Sequence, residues 1–388
     1  MLIRGTVLLA MTVLAACSSG EAGEKPGGNA LPPAASTQAA SPENSSTLAH
    51  GPQKLWRFTP QDHISTRTTV SGGTAYVGTT EGAVYAVDAA TGEQKWRFDA
   101  KGPVPKAPAV DAGMVYVAGG GRMYALDAAT GKPKWDFATR PANNTQPGLA
   151  PAADDGTVYI ADPEGVLHAL DGTTGTNKWD FGTNGGGDVA VIDGMVYVSA
   201  GGKGGVMALD VSTHTYLWRI EDPAAVLPPT PGPGGKIYIS SRDKIYVKER
   251  GHIDETAWET GIGFLSPTAV DDNGVYVVNM SAVMGLNAAT GTTKWTFSPE
   301  DEPTGPIASV AGSIPQTADG TVYVTTSHSL VAIDTATGKQ KWQTELGSKL
   351  KLHHTVADGF VYVSISSNTG SGPTSLVVID AKTGKAPK

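Results

Sequence analysis

The chain of 388 residues holds a single cysteine, Cys17, so no intramolecular disulfide can form within it. Charge is sparse as well. Asp, Glu, Lys and Arg make up 17 % of the residues, the formal net charge is −8, and the basic side chains are scattered. That excludes the basic stripe that a nucleic-acid-binding surface needs. Histidine is scarce and dispersed. The one adjacent pair, His353-His354, would point to opposite faces of a strand and is not expected to chelate one metal. Long apolar runs are missing: Val7–Ala16 is too short to cross a bilayer as a helix, and nothing reads as a long helix. Glycine, by contrast, is abundant, with 49 residues in a chain that is 40 % hydrophobic.

The residues that remain form a repeat. Val84–Phe98, VYAVDAATGEQKWRF, returns as MYALDAATGKPKWDF (Met123–Phe137), LHALDGTTGTNKWDF (Leu167–Phe181) and LVAIDTATGKQKWQT (Leu330–Thr344). All eight tryptophans, Trp56, Trp96, Trp135, Trp179, Trp218, Trp258, Trp295 and Trp342, take the same place, at separations of 40, 39, 44, 39, 40, 37 and 47 residues. A period near forty built from strand material indicates a β-propeller. In most copies Asp stands eight residues before Trp, where its short side chain can accept backbone N–H groups and pin a turn. Glycine four after the Asp suits a position with positive φ. Each Trp is expected to lie flat between neighbouring sheets, burying on the order of 200 Å². His214 replaces the glycine in the fourth copy, and Arg250 and Asp254 replace Asp and Gly in the fifth. Both turns are expected to be looser or longer.

A second element precedes each repeat: a Val-Tyr strand at Tyr76, Tyr116, Tyr159, Tyr197, Tyr238, Tyr276, Tyr323 and Tyr362. Asp155-Gly156, Asp193-Gly194, Asn273-Gly274, Asp319-Gly320 and Asp358-Gly359 supply hairpin turns before five of them. With one apolar segment before each hairpin, every unit becomes a four-stranded antiparallel blade, and the fold class is all-β with eight blades. The last copy, from Asp380, runs out before its Trp, and the missing strand stands at the other end, around Trp56. That N-terminal strand is expected to complete the last blade and close the ring, removing its open edges.

Residues 1–16 read as an export signal. Leu14-Ala15-Ala16-Cys17 resembles the bacterial lipobox, in which the cysteine is lipidated and becomes the new N-terminus. Residues 17–51 are rich in Gly, Ala, Pro, Ser and Thr and are expected to form a flexible tether with a reach of roughly 30 Å. Residues 52–388 are the propeller. The expected location is extracytoplasmic, anchored through Cys17 to a bacterial membrane: the outer face of the cell membrane or the periplasmic face of an outer membrane.

The pattern (V/L)-Y-A-(V/L)-D-A-x-T-G-x-x-x-W resembles the tryptophan-docking repeat of the pyrroloquinoline quinone (PQQ)-type propellers, over essentially everything after residue 52. That superfamily includes quinoprotein alcohol and glucose dehydrogenases, and the lipid-anchored propeller subunit of the outer-membrane β-barrel assembly machinery. The dehydrogenase resemblance implies PQQ with Ca²⁺, a vicinal disulfide over the cofactor and, in some members, a CxxCH haem site. The lone Cys17 excludes the last two, and the near-minimal blades leave no pocket-building insertions. No catalytic, cofactor or metal residue is therefore assigned. The other resemblance implies a monomeric scaffold that binds envelope proteins through its rim loops, with an extracellular ligand-sensing propeller as an alternative. Nine residues before the blade tyrosines, on strands expected to line the channel, stand Arg67, Asp188 and His353. With Lys106 and His354 they are the candidates for a ligand or anion site at the axis.

Overall fold

The computed structural model describes residues 55–139, 150–183, 185, 187–199, 205–222, 229–241, 244–249, 268–279, 282–298, 314–347, 350–367 and 374–386. These residues form eight separate sheets, and the only helix among them is one 3-10 turn at Pro233–Gly235. None of their helices is long and apolar enough to cross a membrane. Blade 1 sets the plan: Thr69–Ser71, Thr74–Gly78, Ala83–Asp88 and Gln94–Asp99 pair antiparallel in chain order. Blades 2, 3, 4, 6 and 7 repeat it, with first strands Ala109–Asp111, Ala152–Asp154, Val189–Ile192, Ala269–Asp271 and Gln316–Ala318. In blade 5 the described strands are Thr230–Pro231, Lys236–Ser240 and Ile245–Glu249. Its Trp258, and the Arg250 and Asp254 turn, lie outside the described residues.

Blade 8 is built from both ends of the chain. Leu350–Ala357, Phe360–Ser367 and Ser375–Asp380 are followed in space by Arg57–Phe58. Arg57 pairs with Val377 and Phe58 with Leu376, while Val378 N–H donates to the Trp56 carbonyl at 3.1 Å. The inner strands of blades 1 to 4 lie against one another in turn, as do those of blades 5 to 8, and that of blade 8 lies against that of blade 1. The ring is closed.

Near-continuous apolar runs, such as Ala83–Val87, make the second and third strands buried on both faces. The core is accordingly not one mass at the centre. Eight hydrophobic clusters each join two neighbouring blades, such as Tyr76, Val84, Trp96, Val115 and Val117 between blades 1 and 2. Eight interfaces between eight blades require closure. Trp56, Val77, Tyr85, Tyr362 and Val378 form the interface that the N-terminal strand completes.

The hairpin turns follow the sequence with one correction. Asp155-Gly156, Asp193-Gly194, Asp319-Gly320 and Asp358-Gly359 all have positive φ at both residues, as a type I′ turn requires. In blade 6 the pairing of Asp271 with Gly274 makes Asp272 and Asn273 the turn instead of Asn273-Gly274. Asp271 Oδ1 accepts the N–H groups of Asn273 and Gly274 at 2.8 and 3.1 Å, so a side chain supplies what positive φ supplies elsewhere. The fourth-repeat turn also departs from expectation. It is neither longer nor looser: His214 takes the glycine's place at φ +56°, and Asp210 accepts both the N–H and the hydroxyl of Ser212 and of Thr213.

Candidate functional site

Two constellations carry the polar side chains of this fold, one between the blades and one at the axis. Between the blades, the Asp that ends the third strand organises a turn and an ion pair together. Asp88 Oδ1 accepts the N–H groups of Ala90 and Thr91 at 3.0 Å, and its Oδ2 lies 3.1 Å from Lys95 Nζ. Lys95 also donates to Thr74 Oγ1 at 2.8 Å, strapping the fourth strand across to the second. Lys134, Lys178 and Lys341 pair with Asp127, Asp171 and Asp334 in the same way. The sequence reading passed over this lysine, although the recurring Lys-Trp dipeptide was its signal.

Each described Trp of this set reaches into the next blade. Trp96 Nε1 donates to the Ala128 carbonyl at 2.9 Å, and its ring covers Gly131 so closely that a Cβ there would lie 2.6 Å from Trp96 Cδ2. Trp56, Trp135, Trp295 and Trp342 repeat both contacts, on Gly92, Gly175, Gly338 and Gly384. The glycine is thus needed twice, for positive φ and for the face of an indole. Where His214 replaces it, the imidazole packs against Trp179 with centroids 4.8 Å apart and the rings tilted by 31°. Within its own blade each ring meets the blade tyrosine, as Tyr76 meets Trp96 at 5.8 Å. Trp218 packs on Tyr197 and carries Lys248 Nζ over its face at 5.9 Å.

At the axis the candidates fall into two groups. Lys106 Nζ donates to Asp188 Oδ2 at 2.7 Å, and Asp188 Oδ1 accepts Ala150 N–H at 3.2 Å, so this ion pair bridges the inner edges of blades 2, 3 and 4. Arg67 stands two residues before the inner strand of blade 1, and His353 and His354 lie in the inner strand of blade 8. Both rings are buried. Thr355 Oγ1 donates to the Thr68 carbonyl at 2.6 Å and Thr68 Oγ1 lies 3.1 Å from Ser364 Oγ, which ties the Arg67 segment to blade 8. Burial lowers the Arg67 guanidinium to about 10, so it stays charged at neutral pH. His354 is pushed down to about 3, first by burial and then by the charge of Arg67. It is neutral. Among the described residues no hydrogen bond or ion pair joins Lys106 and Asp188 to the Arg67 group.

No group of three or more metal-ligating side chains comes together among the described residues. The broad surface is polar, and the one large hydrophobic residue exposed among the described residues is Tyr216, half-exposed on the outer strand of blade 4.

Known proteins place the chain within a family. No curated protein matches the sequence. Solved structures resemble it at low identity. A quinohemoprotein alcohol dehydrogenase from Comamonas testosteroni is 17 % identical, with 86 % of this chain and 77 % of that one covered and a TM-score of 0.65. The computationally designed Ika8 protein is 16 % identical, with 82 % and 97 % covered and a TM-score of 0.64. BamB from Moraxella catarrhalis is 20 % identical, with 83 % and 87 % covered and a TM-score of 0.47. At such identities the first two speak for the fold alone. The sequence profile described as outer membrane protein assembly factor BamB matches residues 47–149, 142–261 and 279–386. The chain belongs to that family of eight-bladed propellers.

Proposed function

We propose that this chain is a non-catalytic scaffold of the bacterial cell envelope that binds other envelope proteins and serves in outer-membrane protein assembly. The observation that carries this reading is the family match across nearly the whole propeller. The placement of polar groups supports it: the Asp-Thr-Lys sets hold turns and strands and leave none of their functional groups for chemistry. Recognition belongs to the rim loops and outer strand edges, where a rigid ring presents fixed surfaces. The chain is held at the membrane through lipid on Cys17, with residues 18–51 as the tether, and the propeller works as a monomer.

The test is made in the native host. Deleting the gene is expected to lower the amount of folded β-barrel protein in the outer membrane, and crosslinking the lipidated protein in its membrane is expected to join it to a component of the assembly apparatus. Normal barrel levels together with crosslinks to lipid alone would overturn the proposal. A PQQ-dependent oxidoreductase, whose fold this chain shares, makes the opposite forecast: added PQQ and Ca²⁺ would give a bound-quinone spectrum and dye reduction with the purified protein. The scaffold reading expects neither.

A further inference from the structure

Arg67 and His354 are not explained by the docking of one blade on the next. The backbone around Arg67 is fixed on both sides: Thr66 Oγ1 accepts Gly78 N–H at 2.8 Å, and Thr68 is held by Thr355 and Ser364 of blade 8. Thr66 and Thr68 are both buried, so the arginine is presented from a rigid, largely dry segment. Among the described residues its guanidinium makes no ion pair and no hydrogen bond. Beside it, His354 is 1 % exposed, and among the described residues its ring nitrogens make no hydrogen bond of full geometry, the Tyr323 backbone alone acting weakly on the imidazole. The pair is electrostatically coupled, since the charge on Arg67 acts on the imidazole.

A desolvated cation without a counter-ion among the described residues, beside a buried and poorly satisfied imidazole, is unfavourable on both counts. Lys106, in the equivalent part of blade 2, avoids the first of these costs by pairing with Asp188. One kind of ligand relieves both. An oxyanion accepts from the guanidinium fork and from the N–H of a neutral imidazole, and charge-assisted bonds of this kind are the strong ones. Arg67 keeps partial exposure, which leaves an entry path.

We propose that Arg67 and His354, at the junction of the inner strands of blades 8 and 1, form a binding site for a small oxyanion, a carboxylate or a phosphate. The site is independent of the scaffold reading, and it makes the closure between first and last blades sensitive to a ligand. Lys106 and Asp188 take no part in it.

The test uses the purified mature protein and two probes, inorganic phosphate and acetate, at fixed ionic strength. Binding to the folded state alone raises the unfolding temperature with a saturable dependence on ligand concentration. One or both probes are expected to do so, chloride is not, and the probe that acts identifies the source. Arg67→Met is expected to unfold at higher temperature than the wild type without ligand, because the lone buried charge is gone, and to lose the response. His354→Gln, with one donor kept in altered geometry, is expected to weaken the response several-fold. Line broadening of the phosphate ³¹P resonance by the wild-type protein, reversed by acetate, reads binding with no substitution at all. No saturable shift with either probe and no broadening would overturn the proposal. So would an undiminished response in Arg67→Met.

Discussion

At the scale of single residues, the molecule depends on how close an indole comes to a glycine. Gly131 has φ +69°, and a Cβ there would meet the Trp96 ring at 2.6 Å, whereas Gly72 has φ +56° with nothing within 4 Å. Both need the left-handed region, but only one also needs the space. Gly131→Ala should therefore cost ~3 kcal/mol, strain and displaced ring together. Gly72→Ala should cost ~1 kcal/mol, the strain alone. Urea unfolding of the two variants checks the difference, and equal losses would contradict it. The need for positive φ was legible in the repeat. The close approach was not, because the ring comes from the preceding blade, 35 residues away for Gly131 and 43 for Gly338. His214 marks the limit of reading residue types singly: its ring packs tilted against Trp179 where the glycine would lie, and the turn survives.

At the scale of the blade, the turn between third and fourth strands is held by ionised carboxylates. Hydrogen bonds from the Ser212 hydroxyl, and then from Thr213, hold Asp210 down to about 2, against an ordinary value of 3.8. The Thr130 hydroxyl lowers Asp127, the Thr174 N–H lowers Asp171 and the Thr337 hydroxyl lowers Asp334. A carboxyl whose folded value lies below its unfolded one stabilises the fold when ionised. That contribution is full above about pH 4 and disappears as the pH falls through about 2. Stability should therefore decline across that window. Asp210→Asn, the amide that Asn287 already uses in blade 6, should flatten the decline, as read from unfolding midpoints at a series of pH values. An unchanged acid limb would contradict the assignment.

The blades themselves were legible because period, Trp position and hairpin signals agree at every level. Two features were not. Opposite each Trp the third strand carries a small residue, Ala86, Ala125 or Gly285, and then shifts register. A continuous apolar run such as Ala83–Val87 carries no mark of such a bulge. The blade 6 hairpin was displaced by one residue because Asp271, not a glycine, sets its geometry.

At the scale of the whole molecule, closure does what no single blade can. A lone blade leaves apolar faces on both sides, and only a ring gives every face a partner. The unfinished last repeat foretold which strand would close it, since a missing Trp at one end and a surplus one at the other have a single economical solution. The axial groups were less legible. A fixed spacing before the tyrosines brought out Arg67, Asp188 and His353, but spacing says nothing of charge pairing, which divided them into an ion pair and an uncompensated arginine. The family match agrees with the repeat resemblance, and the proposed function rests on it.

The most direct measurement is of closure itself. Trp56 and Val378 form the hydrogen-bonded pair, which makes Arg57 and Val377 the adjacent non-hydrogen-bonded pair, with Cα atoms only about 4.5 Å apart. That spacing suits a disulfide. In a Cys17→Ser background, Arg57→Cys with Val377→Cys should crosslink nearly completely under mild oxidation of the folded protein, and the product should unfold at higher temperature than its reduced form. Two thiols that stay free in the folded protein would contradict a ring closed by its N-terminal strand.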